Sequence, residues 1–184
     1  MKYFIIGFNK CGTSTFHKIF IENGIKSTHS TKWHLVLNEY DAFSDNGNLN
    51  DYKKLLNLFP NENFILNTRN LRSWLISRFC HGWTKVNPKT AIWSNPVSIK
   101  KCKNWATGRK KYHQEVEDYF REIKKELYIA DIDQKDWVQS FCRHFDLKIP
   151  PNHHCNKTKS GITNTDLYKK IINVVDQYMK YENS

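Results

Sequence analysis

Short apolar runs alternate with amphipathic stretches along this chain, and the two kinds of segment predict strands and helices respectively. The first run, residues 3–6, breaks at Gly7, and the segment after it places Phe16, Ile19 and Phe20 on one helical face. Further strands are predicted at residues 25–29, 64–67 and 127–130, and further helices at residues 51–59, 69–79, 99–126, 136–145 and 165–181. This alternation indicates a three-layer, P-loop-like α/β fold with a central parallel sheet flanked by helices.

The length of 184 residues predicts a single domain over residues 1–184, and a hydrophobic content of 39% is typical of a globular chain. No run approaches the ~20 apolar residues of a transmembrane helix. The first apolar residues belong to the first strand and not to a signal peptide, so we expect a cytoplasmic protein without membrane contact. Five cysteines without paired spacing predict neither a disulfide framework nor a metal site.

The segment between the first strand and the first helix has the pattern of a phosphate-binding loop. Gly7 and Gly12 bound it, Lys10 lies inside it, and hydroxyl side chains begin the helix. Backbone N–H groups at a helix N-terminus and a nearby ammonium group both favour a bound anion. A nucleotide-triphosphate loop, G-x-x-x-x-G-K-[ST], needs a lysine directly after the second glycine, where this chain has Thr13. The loop therefore predicts phosphate binding but disfavours a nucleotide or nucleoside kinase.

A second phosphate-binding pattern follows the predicted strand at residues 64–67. Arg69 stands at the end of that strand, and the helix after it carries Ser77. A guanidinium fork and a hydroxyl group suit a terminal phosphate. Because ligands of parallel sheets bind beyond the carboxyl ends of the strands, we expect Lys10 and Arg69 to lie on the same edge of the sheet.

Both segments resemble those of sulfotransferases that use 3′-phosphoadenosine 5′-phosphosulfate (PAPS). The loop around Lys10 is similar to the family's 5′-phosphosulfate loop, K-x-G-T-[ST]. The segment from Arg69 to Ser77 is similar to its 3′-phosphate motif, with Leu71 in place of the usual proline. Residues 63–70, 127–131, 137–150 and 156–161 are also similar to family segments. The resemblance implies an enzyme of the compact bacterial or carbohydrate-modifying type, which moves a sulfuryl group from PAPS to a hydroxyl or amine of an acceptor.

The resemblance also implies which residues act, with PAPS as the cofactor and no metal. The cofactor-binding residues would be Lys10, Cys11, Gly12, Thr13, Ser14, Thr15, Arg69, Ser77, Lys157 and Lys159. Lys10 would also be catalytic, as the cation beside the oxygen that leaves sulfur. The general base stays open, because Lys32 replaces the glutamate that heparan-sulfate-type relatives carry two residues before a histidine. His29 and His34 rank equally for that role, with Glu39 and Asp45 behind them.

The net charge of +11 implies an anionic partner without identifying it. Three tryptophans interleaved with lysines favour a glycan or another anionic or hydroxylated acceptor; they are Trp83, Trp93 and Trp105. A basic nucleic-acid-binding module without catalysis is one alternative, although no helix-turn-helix, zinc or RNP pattern supports nucleic acid as the partner. There are two further alternatives: a kinase, and a sulfotransferase fold that binds PAPS without transferring the sulfuryl group.

Overall fold

A computed structural model describes residues 1–29, 32–81, 97–151 and 165–182. The chain divides into two compact units, here called unit 1 and unit 2. Unit 1 comprises Met1–Arg69 and Tyr112–Cys155, and unit 2 comprises Asn70–Lys111 and Asn156–Ser184. A single domain over residues 1–184 stays a prediction.

Unit 1 contains a five-stranded sheet in which every pairing is parallel. Its strands are β1 (Tyr3–Ile5), β2 (Ser27–His29), β3 (Ala42–Ser44), β4 (Asn63–Thr68) and β5 (Tyr128–Asp131). They lie in the order β2-β3-β1-β4-β5, so the first strand of the chain is the central one. Strand β3 was not expected from the sequence, whereas the other four confirm predicted strands.

Six α-helices occur within the described residues: α1 (Thr13–Glu22), α2 (Tyr52–Leu58), α3 (Leu71–His81), α4 (Ile99–Glu122), α5 (Trp137–His144) and α6 (Asp166–Glu182). Short 3-10 helices occupy Trp33–Leu35 and Gly47–Leu49. Asp51 caps α2, because its carboxylate accepts hydrogen bonds from the backbone of Lys53 and Lys54 at 3.1 and 3.2 Å. None of the described helices combines the length and the apolarity needed to span a bilayer.

Helices cover both faces of the sheet in unit 1. On one face, side chains of α1 and α5 form a cluster with Tyr3, Ile5 and Ile65. On the other face, side chains of α2 and the second half of α4 form a cluster with Phe4, Phe43, Phe64 and neighbours. Each fully buried large apolar side chain stabilises the fold by about 1.5–3 kcal/mol. These layers confirm the predicted three-layer α/β fold with a central parallel sheet.

Unit 2 contains α3, the first half of α4 and α6. Helices α3 and α6 pack together, and Arg72 donates two hydrogen bonds to the Asp176 carboxylate at 2.6 and 3.1 Å. The ring of Trp74 is buried, with the guanidinium carbons of Arg78 and Arg109 at 5.2 and 4.9 Å from its centre. Such cation–π contacts let charged side chains occupy the interior of this helical unit.

Candidate active site

The loop between β1 and α1 adopts a backbone conformation that brings a helix N-terminus to the end of the central strand. Lys10 and Gly12 both have left-handed backbone angles, with φ of 64° and 78°. Gly12 precedes α1, and its carbonyl accepts from the N–H groups of Thr15 and Phe16 at 2.8 and 3.1 Å. A β-carbon at Gly12 would lie 3.1 Å from Cγ2 of Ile132. Glycine therefore suits this position for both its φ and its tight packing.

Asn67, near the end of β4, holds this loop by hydrogen bonds to its backbone. Its amide nitrogen donates to the carbonyls of Phe8 and Cys11 at 3.0 and 2.8 Å, and the side chain is fully buried. A β-carbon at Gly7 would overlap the carbonyl oxygen and Oδ1 of Asn67, so the loop begins in close contact with β4. Sequence reasoning gave Asn67 no role. The available signal was a polar residue within an apolar strand, since buried polar groups are normally hydrogen-bonded.

The other side of the loop rests on α4. The Tyr112 ring meets Phe8 edge-on at 5.4 Å, and the His113 ring lies 5.9 Å from Phe8. The Tyr112 hydroxyl donates to the Ile6 carbonyl at 2.6 Å. Burial raises the pKa of Tyr112, so the phenol stays protonated at neutral pH and keeps this hydrogen bond. Asn67 of β4 and Tyr112 of α4 thus hold the loop from two sides.

The structure brings Lys10 and Arg69 together, as the parallel sheet predicted. Nη1 of Arg69 donates to the carbonyl oxygen of Lys10 at 3.2 Å. Nε of Arg69 also lies 3.8 Å from a carboxylate oxygen of Asp133, a residue that follows β5 and that the sequence had not singled out. The Arg69 side chain is about a quarter exposed. The Arg69 side chain therefore reaches the backbone of the loop that carries Lys10, at the carboxyl ends of neighbouring strands β1 and β4.

His29 reaches the start of α1 even though β3 separates β2 from β1. Its Nε2 lies 3.2 Å from Oγ1 of Thr13 and 3.5 Å from Oγ of Ser14, and the residue is exposed. Behind it, Nδ1 of His17 is 2.8 Å from Oγ of Ser27. The rings of His17 and His29 are 5.8 Å apart. An imidazole thus faces the hydroxyl groups of Thr13 and Ser14 at the start of α1.

Burial, and secondarily the positive charge that His29 can carry, lower the pKa of His17. His17 therefore stays neutral at pH values where an ordinary histidine is partly protonated. Sequence reasoning missed this second histidine. It lies four residues after Thr13 in α1, so helical spacing alone places it on the same side as the loop hydroxyls.

The other predicted residues differ in exposure. Cys11 in the loop and Thr15 in α1 are buried, whereas His34 is exposed on the 3-10 helix whose Trp33 belongs to the core. Glu39 is exposed, and Asp45 follows β3 and accepts from the amide of Asn46 at 3.1 Å. Of the two predicted histidines, His29 is therefore the one whose described contacts reach the start of α1.

Ser77 lies half-buried on α3 in unit 2, whereas Arg69 is the last residue of its segment in unit 1. Their joint action at one phosphate stays a prediction of the motif. Trp105 contacts Phe79, Arg78 and Lys101 within its own unit. Four further predicted residues lie outside the described residues; they are Trp83, Trp93, Lys157 and Lys159.

Within the described residues, no group of three or more His, Cys, Asp or Glu side chains is arranged to hold a metal ion.

Comparison with known proteins identifies the family. A search of curated proteins finds no match. The family model described as "Sulfotransferase domain" matches residues 8–145, a stretch that begins in the loop before α1 and includes both predicted phosphate-binding segments. By that match, which covers most of the chain, the protein belongs to the sulfotransferase domain family.

Proposed function

We propose that this sulfotransferase uses PAPS as the sulfuryl donor and a carbohydrate hydroxyl or amine as the acceptor. The observation that carries the proposal is the contact between Arg69 and the backbone of Lys10 at the carboxyl ends of β1 and β4. It ties the guanidinium group of Arg69 to the loop that carries Lys10 and that leads into a helix N-terminus preceded by a glycine in the left-handed conformation. This donor set fits a ligand with more than one anionic group.

Within unit 1, the loop supplies groups suited to a 5′-phosphosulfate. Thr13, Ser14 and Thr15 open α1, where N–H groups and the helix dipole favour an anion. When bound, PAPS supplies the sulfuryl group and leaves as 3′,5′-ADP. Lys10 offers an ammonium group where negative charge increases during transfer, and a cation there acts mainly on the transition state. Arg69 offers the fork for the 3′-phosphate, and Ser77, from the motif, is proposed as its second ligand.

His29 is the better-supported general base of the two histidines. Its exposed imidazole faces the hydroxyls of Thr13 and Ser14, so it can take a proton from an acceptor brought to the same loop. His34 has no comparable contact among the described residues. We expect His29→Asn to lower kcat by about 100-fold, on the scale of losing a general base, and His34→Asn to leave it within about threefold. The reverse result in steady-state kinetics would assign the role to His34.

The donor is tested first by thermal unfolding with 3′,5′-ADP, 5′-ADP and ATP with Mg²⁺. A ligand at 100 times its Kd stabilises the folded state by about 2.7 kcal/mol. We expect this stabilisation with 3′,5′-ADP alone. Arg69→Ala should abolish it and Arg69→Lys should weaken it, because lysine keeps the charge but not the fork.

Arg143→Ala is the matched control, because Arg143 is an exposed arginine of unit 1 on α5. It should leave the response to 3′,5′-ADP unchanged. Equal stabilisation by 5′-ADP and 3′,5′-ADP would contradict the proposed 3′-phosphate site, and a preference for ATP with Mg²⁺ would favour kinase chemistry instead.

A further inference from the structure

Two histidines of unit 1 lie side by side where α1 contacts β2. The ring centres of His17 and His29 are 5.8 Å apart, and the ring planes are inclined at 52° to each other. The proposed general base, His29, is exposed at the end of β2, whereas His17 is half-buried in α1. The base therefore has a second imidazole as its direct neighbour.

His17 is itself anchored on β2. Nδ1 of His17 lies 2.8 Å from Oγ of Ser27, and Ser27 is buried. A hydrogen bond between these two atoms fixes the rotation of the His17 ring. Ser27 pairs with Ala42 of β3 and so belongs to the sheet. A side chain whose rotamer is locked in this way is a suitable support for a neighbouring functional group.

The His29 ring meets α1 at two successive turns. Thr13 and His17 are four residues apart in the helix, so their side chains lie on the same side of it. Nε2 of His29 is 3.2 Å from Oγ1 of Thr13, and the His29 ring contacts that of His17 one turn further along. Because β2 is an edge strand of three residues and His29 is its last, these contacts with α1 limit how the exposed His29 side chain can rotate.

The neighbour of the base is also uncharged at neutral pH. Burial, and after it the positive charge that His29 can carry, lower the pKa of His17, so His17 takes up a proton only after His29 has done so. Five other charged residues lie on α1 or next to the strands that it contacts, β2 and β3; they are Lys18, Glu22, Lys26, Asp41 and Asp45. None of these five ranks with burial and His29 as a cause of the lowered pKa. A neutral His17 does not repel the proton that His29 has to accept, whereas a charged one would.

We propose that His17 is a positioning residue for the general base: anchored on Ser27, it holds the His29 ring at the start of α1, where that ring takes the proton of the acceptor. The proposal rests on the proposed function, since it adds a residue to the base assigned there. In the proton transfer, the hydrogen leaves the hydroxyl or amine of the acceptor and binds the lone pair of a ring nitrogen of His29. His17 neither gains nor loses a proton, and it acts only through the orientation of its neighbour.

Nuclear magnetic resonance of the protein without donor or acceptor tests the orientation directly. The ring protons next to Nε2 of His29 should give nuclear Overhauser cross-peaks to the Thr13 methyl group, because Nε2 lies 3.2 Å from Oγ1 of the same side chain. We expect His17→Ala to remove most of their intensity, and His17→Phe, which restores a ring against His29, to recover most of it. The matched control is His144→Ala at an exposed histidine of α5, which should leave the cross-peaks unchanged.

Steady-state kinetics, with glucosamine as an acceptor probe that offers hydroxyls and an amine, separate positioning from packing. His17→Ala should lower kcat about tenfold, because a misoriented base reacts more slowly. KM for the donor and thermal stabilisation by 3′,5′-ADP should stay unchanged. On the acidic side, the slope of log kcat/KM against pH should approach about two in the unaltered protein, since activity requires both imidazoles to be neutral. In His17→Phe that slope should stay at about one.

Unchanged cross-peaks in His17→Ala would overturn the proposal, and so would an equal fall of kcat in His17→Ala and His144→Ala. Loss of stabilisation by 3′,5′-ADP in His17→Ala would assign His17 to the donor site, which also contradicts a role through His29. Failure of the proposed function gives a different result. An unaltered protein with the expected cross-peaks that neither responds to 3′,5′-ADP nor transfers a sulfuryl group would reject the reaction and keep the contact between His17 and His29.

Discussion

The two units of this protein differ in architecture and in net charge. Unit 1 holds the parallel sheet, the loop with Lys10 and the contacts of Arg69 and His29, and its 14 Lys and Arg nearly cancel against 15 Asp and Glu. Unit 2 consists of helices in its described part and contains 15 Lys and Arg against 3 Asp and Glu, a net charge of +12. The comparison teaches that the basic character of the chain says little about the loop between β1 and α1, which we propose binds phosphate. Local positive groups there come from single side chains and backbone, and bulk charge belongs to the other unit.

The largest expected effect compares a tightly packed glycine of unit 1 with an open glycine of unit 2. A β-carbon at Gly47 would overlap the carbonyl oxygen of Ile5 and lie 2.5 Å from Cα of Ile6, whereas one at Gly108 in α4 would meet nothing within 4 Å. Gly47→Ala should therefore destabilise the protein by about 3 kcal/mol or more. Gly108→Ala should stabilise it by about 0.5–1 kcal/mol, since alanine favours helix interiors. Chemical denaturation measures both, and similar values would show that the close contacts at Gly47 do not limit the residue there.

The second effect concerns single charges. Lys10→Ala in unit 1 should lower turnover by about 100-fold or more, as expected for a donor that acts in the transition state. Lys170→Ala removes the same charge from an exposed position on α6 in unit 2 and should leave turnover within about twofold. The measurement is release of 3′,5′-ADP under saturating donor. Unchanged turnover in Lys10→Ala would remove the catalytic role from the loop of unit 1.

A smaller effect concerns a buried polar side chain. Asn67→Leu removes the amide that donates to the carbonyls of Phe8 and Cys11, and loss of such a buried hydrogen-bond partner costs about 1–3 kcal/mol. Stabilisation by 3′,5′-ADP should fall as well, because the loop loses its anchor. Asn173→Leu on α6, an exposed position of unit 2, should change stability by less than about 0.5 kcal/mol. Normal nucleotide binding by Asn67→Leu would mean that the loop keeps its conformation without this anchor.

The smallest effect concerns pH, and unit 1 should carry it because seven of the eight histidines belong to that unit. Burial and the charge of His29 lower the pKa of His17, so the unfolded chain binds a proton more readily than the folded one. The stabilising contribution of neutral His17 is complete above the unfolded pKa of about 6.5 and is lost as pH falls through the lower folded pKa. His17→Gln should flatten the decline in unfolding free energy between pH 7 and 5. An unchanged slope in His17→Gln would show that this histidine does not contribute to the pH dependence.

The sequence was enough to predict the layers of the fold because the apolar runs of β1 and β4 and the face of α1 are local signals. It also predicted that Lys10 and Arg69 share one edge, since that follows from parallel strands in general. It could not reveal β3, whose three residues Ala42–Ser44 have no periodicity of their own. This strand depends on pairing with β1 and β2 on its two sides, which is a tertiary effect.

The candidate site was also predictable from the sequence only where its residues are close together in the chain. Loop residues and Arg69 stand in recognisable spacing, but the approach of His29 to Thr13 depends on how α1 passes over β2 and β3. The sequence therefore left His29 and His34 equal, although only His29 faces the loop among their described contacts. The anchor Asn67 and the partner Asp133 were missed for the same reason, because each acts through a residue distant in the chain.

The central position of β1 has a consequence for how the chain reaches its folded state. Tyr3 pairs with Ala42 on one side and with Asn63 on the other, so both neighbours of the first strand are made long after it. High contact order of this kind slows folding. Until residue 68 has left the ribosome, the apolar run of β1 presents two unpaired strand edges, which are sites for aggregation. Because hydrophobic association weakens on cooling, expression at low temperature should increase the soluble yield of this protein.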